Sequence, residues 1–177
     1  MQERTVKVTP AFQGRLLHVE VVEVELPGGL RSIREICRHP GAAVILAQLD
    51  DGRFVLVRQY RKAIERETLE VVAGTLHPGE DPVACAHREL AEETGYRARE
   101  LISLGAVVPA PGYTDERLHM FFARLDSVRG ELQTDADEAL SVEYLNATQI
   151  ETKIAAGELE DAKTLAAWLL YRARIPR

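Results

Sequence analysis

The stretch Gly74-Thr75-Leu76-His77-Pro78-Gly79-Glu80-Asp81-Pro82-Val83-Ala84-Cys85-Ala86-His87-Arg88-Glu89-Leu90-Ala91-Glu92-Glu93-Thr94-Gly95-Tyr96 decides the fold. Thr75 to Glu80 is rich in turn residues and reads as a loop. Asp81 suits a helix N-cap, Pro82 the first helical position, and Gly95 the left-handed position after the last turn. A helix over Pro82–Thr94 follows. At about 100° per residue, Glu89, Glu92 and Glu93 share one face, with Val83, Ala86, Leu90, Ala91 and Thr94 opposite. A solvated acidic face would have the same spacing. Like charges at i, i+3 and i+4 nevertheless repel by a few tenths of a kcal/mol unless a cation sits among them. Mg²⁺, which takes carboxylate and carbonyl oxygens together with water and phosphate oxygens, would fill that role.

Around this stretch the periodicity alternates between strand and helix. Leu16 to Leu26 alternates with a phase slip at Val21-Val22, where a bulge or a twist is expected. Pro27-Gly28-Gly29 turns the chain, and residues from about Arg31 to Arg38 return as a hairpin partner. Ala42 to Leu49 is a continuous apolar run, and Asp50-Asp51-Gly52 turns it into Arg53 to Gln59. Leu69 to Ala73 reads as a short strand ending at Gly74. Further strands are expected near Leu101–Val108, Leu118–Leu125 and Leu140–Leu145, and helices near Ala147–Ala156 and Ala162–Arg174.

The 177 residues carry 22 basic against 28 acidic side chains, a net charge of -6, which gives no footprint for nucleic acid or an anionic membrane. No apolar run approaches the roughly 18 residues that span a bilayer, and the first ten residues lack a signal-like apolar region. The two cysteines, Cys37 and Cys85, make no C-x-x-C pair. They read as buried thiols of a reducing compartment, which points to the cytoplasm.

Across the 23 residues from Gly74 to Tyr96, the pattern Gly74-x5-Glu80-x7-Arg88-Glu89-Leu90-Ala91-Glu92-Glu93-Thr94-Gly95-Tyr96 resembles the Nudix box at every fixed position. The resemblance implies an α/β/α sandwich with a mixed sheet, an α+β class to which the N-terminal hairpin is an extension, and Mg²⁺-dependent hydrolysis of a nucleoside diphosphate joined to another moiety, with Mn²⁺ or another divalent cation as an alternative. It implies that Glu89, Glu92 and Glu93 are metal ligands, with the backbone carbonyl of Ala73 beside them. Glu80, Arg88 and Gly74 support them. Arg88 can pair with Glu80 across the loop or with Glu92 along the helix, orienting a carboxylate from behind.

Other segments are similar to ADP-ribose pyrophosphatases: Arg34-Glu35-Ile36 with His39-Pro40-Gly41, Val57-Arg58-Gln59-Tyr60-Arg61, and Leu69-Glu70-Val71-Val72-Ala73-Gly74. Pro111, sixteen residues beyond Gly95, stands where that subfamily carries a proline. On this resemblance Arg61 meets the substrate's phosphates, a task suited to a planar guanidinium fork. Arg58 is a second candidate, Glu70 lies near the ribose, and Glu138, in the acidic run Asp135-Ala136-Asp137-Glu138, is the candidate catalytic base, with Glu92 or Glu93 as alternatives for that role. The expected reaction turns ADP-ribose into AMP and ribose 5-phosphate.

The resemblance also implies a homodimer, with residues 1–40 forming the dimer segment and 41–177 the hydrolase domain. Two alternatives stay open on sequence: another nucleoside diphosphate sugar such as GDP-mannose as substrate, or a non-catalytic, nucleotide-sensing domain. The five histidines show no H-x-x-x-H zinc spacing, and no Gly-x-Ser-x-Gly elbow occurs. Trp168 reads as core of the last helix before it reads as an adenine platform.

Overall fold

The computed structural model describes residues 2–130 and 140–175. Its residues fall into two units, one of residues 1–41 with 108–117 and one of 42–107 with 118–177.

In the second unit the continuous apolar run becomes β4 (Ala42–Gln48), flanked by β5 (Phe54–Arg61) and β9 (Leu118–Leu125). The sheet runs β10–β5–β4–β9–β8, with β8 at Ala98–Val107 and β10 at Leu140–Leu145. β6 (Arg66–Glu70) pairs with β5, and β7 (Val72–Thr75) pairs with β4. β4 and β9 are parallel while the other pairs are antiparallel, so the sheet is mixed.

Strand alternation explains why β4 has no polar phase. Val44 and Leu46 belong to one buried cluster with Phe54, Leu56, Phe122 and Trp168, while Ala43, Ile45 and Ala47 belong to another with Val55, Val57, Cys85 and Leu90. A strand covered on both faces loses its polar positions. Helices α2 (Ala147–Ala155) and α3 (Ala162–Arg174) contribute Ile150, Ala167 and Trp168 to the first cluster, and α1 (Pro82–Thr94) contributes Cys85, Ala86 and Leu90 to the second. The result is the expected three-layer α/β/α arrangement. No helix among the described residues is long and apolar enough to cross a membrane.

The first unit is a three-stranded antiparallel sheet of β1 (Arg4–Gln13), β2 (His18–Glu25) and β3 (Arg31–Arg38). The β2–β3 hairpin matches the expected one, but β1 was not foreseen. Its Thr-Val-Lys-Val-Thr alternation is short and is interrupted by Pro10, which the sheet tolerates because β1 is an edge strand. No bulge occurs at Val21-Val22 in the β2–β3 pairing; the register shifts lie on β1, between Thr5 and Lys7 and between Pro10 and Phe12. Cys37 is only half-buried, unlike Cys85. Its N–H donates to the Tyr113 carbonyl at 2.7 Å, and Asp115 accepts from Arg38 and from the His39 N–H. These bonds bring residues 109–116 beside β3, so Pro111 and Tyr113 line one cleft with Arg34, Ile36 and Arg38.

Candidate active site

Helix α1 has the ends its sequence dictates. Asp81 accepts from Val83 N at 2.9 Å and Ala84 N at 3.4 Å, Pro82 opens the first turn, and Gly95 closes the last with φ 74° while its N–H donates to the Ala91 carbonyl. On the helix surface, however, the polarity is not the ordinary one. Glu93 is only 5% exposed, and Val83, expected on the buried face, is 45% exposed. The side chain of Glu89 is 13% exposed and that of Glu92 38%. Much of the acidic face therefore looks inward, where an uncompensated carboxylate would be costly.

Arg88 supplies much of the compensation. Its Nε and Nη2 donate to the two oxygens of Glu80 at 2.9 Å each, and its Nη1 donates to Glu89 Oε1 at 2.5 Å and to Glu92 Oε2 at 3.1 Å. Nη2 also reaches the Thr75 carbonyl at 3.2 Å. Of the two pairings open on sequence, Arg88 makes both, and it adds Glu89. The guanidinium pKa is raised by Glu80 first, despite partial burial, and then by Glu89 and Glu92. The Glu80 carboxyl is held down at about 2 by Arg88 and by the His77 N–H, which donates to it at 2.9 Å.

Gly74 lies at the back of this cluster, on β7. A Cβ there would fall 1.8 Å from the Glu89 carboxylate carbon, so only glycine lets Glu89 lie against the strand. Space imposes this requirement, because Gly74 is not in the left-handed region. Ala73, just before it, pairs with Val44 of β4. Among the described residues no group of three or more Asp, Glu, His or Cys side chains is drawn together as an ion-holding set; instead, Glu89 and Glu92 converge on Arg88 Nη1. Beneath them Cys85 is wholly buried, and burial pushes its thiol up to about 11, which suits a packing residue and not a nucleophile.

Arg61, at the end of β5, is the second cationic feature. It grips the buried Glu70, Nε to Oε1 at 2.7 Å and Nη2 to Oε2 at 2.5 Å, while its side chain stays 41% exposed. Glu70 first, then Asp161 and last Glu93 of the box raise the Arg61 pKa against the effect of burial. Glu70 also accepts from Thr68 Oγ1 and Lys163 Nζ. Burial pulls the Glu70 carboxyl up, but Arg61, Lys163 and Thr68 outweigh it and hold the group at about 2.

Arg58 is not part of the Arg61–Glu70 pairing, though it lines one cleft with Thr68 and Asp161. Strand alternation puts it on the other face of β5, where it pairs with Glu143 of β10 at 2.5 Å. Glu138 lies outside the described residues. Lys163, Asp161 and Thr68 were not singled out from sequence. Nothing in the sequence pattern couples Lys163 to Glu70.

The sequence profile of the NUDIX domain matches residues 38–168. The chain belongs to the Nudix family. Among Nudix relatives, an ADP-ribose pyrophosphatase of Bacillus subtilis (strain 168) is 40% identical, covering 93% of this chain and 89% of its own length. A methanol dehydrogenase activator of Bacillus methanolicus is 38% identical, covering 94% and 90%. A crystal structure of an ADP compounds hydrolase superimposes with a TM-score of 0.85 at 25% identity, over 98% of this chain and 94% of that one. The Nudix fold and hydrolase class implied by the box are thus established. The box residues Gly74, Glu80, Arg88, Glu89, Glu92 and Glu93 all lie in the unit that holds β7 and α1.

Proposed function

We propose that this Nudix hydrolase cleaves the diphosphate of ADP-ribose to AMP and ribose 5-phosphate, with Mg²⁺ as cofactor and Mn²⁺ as a substitute. The observation that carries the chemistry is the inward acidic face of α1, with Glu89 admitted against β7 by Gly74. The choice of substrate draws support from the 40% identical relative, named an ADP-ribose pyrophosphatase.

The donor set fits a hard divalent cation. Glu89, Glu92 and Glu93 offer carboxylate oxygens and Ala73 a carbonyl. Glu89 and Glu92 already meet at one cationic nitrogen, so positive charge is stabilised at that point. A bound divalent ion supplies charge neutralisation at the diphosphate and Lewis acidity toward water. Arg61 offers its guanidinium to the diphosphate oxygens, and Arg88 holds Glu89 and Glu92 in orientation. Glu138 takes the proton of the attacking water, or Glu92 or Glu93 does so. The water oxygen bonds to one phosphorus, and the bridging oxygen departs with the other phosphate.

We further infer a homodimer in which residues 1–40 form the dimer segment and the cleft of Arg34 and Pro111 takes part in adenosine recognition. We place the protein in the cytoplasm, where both thiols stay reduced. A monomeric mass in solution at working concentration would refute the dimer.

A panel of ADP-ribose, GDP-mannose and other nucleoside diphosphate derivatives, with products identified, tests the substrate. AMP and ribose 5-phosphate released fastest from ADP-ribose is the expected result. Preference for GDP-mannose would replace the substrate, and tight binding without turnover of any compound would favour a sensor.

A further inference from the structure

Arg61 stands at the exposed end of a strand, where a long side chain has many rotamers, yet Glu70 holds it fork to fork through Nε and Nη2. These two bonds use one edge of the guanidinium and turn Nη1 away from the anchor. Glu70 is 2% exposed, so its own oxygens are closed to a substrate hydroxyl by burial as well as by their three donors, Arg61, Thr68 and Lys163. That placement differs from contact with ribose.

Glu70 is itself held, and Lys163 of α3 is one of the groups that hold it. Its Nζ binds the same Glu70 oxygen that Arg61 Nη2 uses, and also Asp161 Oδ1 at 3.1 Å. Asp161 is the N-cap of α3, where its Oδ2 accepts from Thr164 N at 3.0 Å and from Thr164 Oγ1 at 2.6 Å. Thr164 Oγ1 in turn accepts from Val71 N at 2.9 Å, at the break between β6 and β7. The start of α3 is thereby stitched to the residue beside Glu70, which fixes Lys163 in place.

We propose that Glu70 and Lys163 are positioning residues for the diphosphate contact: Glu70 aims the Arg61 guanidinium, and Lys163, bound to the same Glu70 oxygen, fixes the carboxylate that does the aiming. Neither touches the substrate. The proposal rests on Arg61 as the diphosphate contact, and its test separates the two ideas.

The full chain in Mg²⁺ is titrated with inorganic pyrophosphate by calorimetry and assayed with ADP-ribose, as wild type, Arg61→Ala, Glu70→Gln, Lys163→Met and the double variants. Glu70→Gln should weaken pyrophosphate binding and raise KM about tenfold with kcat within about threefold. Lys163→Met should move both in the same direction, and neither change should add to Arg61→Ala. Additive losses, or a lowered kcat at unchanged KM, would overturn the proposal and leave the cluster a packing device. If Glu70→Gln does not fold, Lys163→Met and Lys163→Arg decide the matter, with Lys163→Arg expected to restore the wild-type KM. Pyrophosphate bound through Arg61 by a protein inert toward ADP-ribose would discard the substrate and keep the anchor. Pyrophosphate binding indifferent to Arg61→Ala would discard the anchor whatever the substrate.

Discussion

Glu80 and Arg88 meet fork to fork across the loop that leads into α1, each carboxylate oxygen accepting one guanidinium N–H at 2.9 Å. The remaining nitrogen, Nη1, then lies against Glu89 and Glu92. Glu80 is therefore the far end of a lever whose near end sets the two carboxylates. Removing one charge from Glu80 frees Arg88 to rotate, and a support of this kind typically controls metal affinity by tenfold or more. Glu80→Gln should raise the Mg²⁺ concentration for half-maximal turnover by about tenfold, with the fold intact by circular dichroism. An unchanged Mg²⁺ dependence would remove Glu80 from the site.

The contact between Gly74 and Glu89 is steric. A methyl at position 74 would overlap the Glu89 carboxylate, and displacement of a reacting group by about 1 Å can cost about a hundredfold in rate. Gly74→Ala should lower kcat/KM by about that factor while shifting Tm by only a few degrees. Activity within twofold of wild type would show that Glu89 does not need its position against β7.

Glu70 gives the protein a defined acid sensitivity. Its ordinary pKa of 4.5 is held at about 2 in the fold. A depressed folded value contributes stability above the unfolded pKa that is lost as pH falls toward the folded one. The window is thus from about pH 4.5 down to about pH 2, with a contribution on the order of 3 kcal/mol. Denaturant titrations across that window should show the loss in wild type and a flatter profile in Glu70→Gln, which should also be less stable near neutral pH because two cations lose their partner. Parallel profiles for the two proteins would contradict this.

Trp168 is 7% exposed and packs edge-on to Phe54 at 5.2 Å and tilted to Tyr171 at 5.6 Å. Its role is packing between α3 and the sheet. Trp168→Ala should cost about 3–5 kcal/mol in unfolding free energy, and the milder Trp168→Phe should leave KM for ADP-ribose within twofold. A tenfold rise in KM for Trp168→Phe would make the indole a base-stacking surface.

The parts legible in the sequence were those with local causes. Asp81, Pro82 and Gly95 mark the ends of α1 through capping chemistry that acts over a few residues. The apolar run of β4 was legible as well, and the structure covers it on both faces. Spacing alone also put three glutamates on one side of a helix. It did not reveal that Glu93 is buried, because helical periodicity states which residues share a face and not which face is solvated. Likewise Lys163 and Glu70, 93 residues apart, meet only after α3 has docked. The break at Val71 was hidden for the same reason, since its N–H bonds to Thr164 of α3 and not to a neighbouring strand. The β1 strand escaped because Pro10 interrupts a short alternation that pairing with β2 completes.

The assembly of glutamates on α1 as a cation grip for diphosphate cleavage is tested most directly by following ADP-ribose turnover with Mg²⁺, with chelator, and in Glu92→Gln and Glu93→Gln. Wild type should release AMP and ribose 5-phosphate only when Mg²⁺ is present, and each variant should be slowed by about a hundredfold or more at saturating Mg²⁺. Equal product release in chelator, or full turnover by the Glu93 variant, would contradict the account.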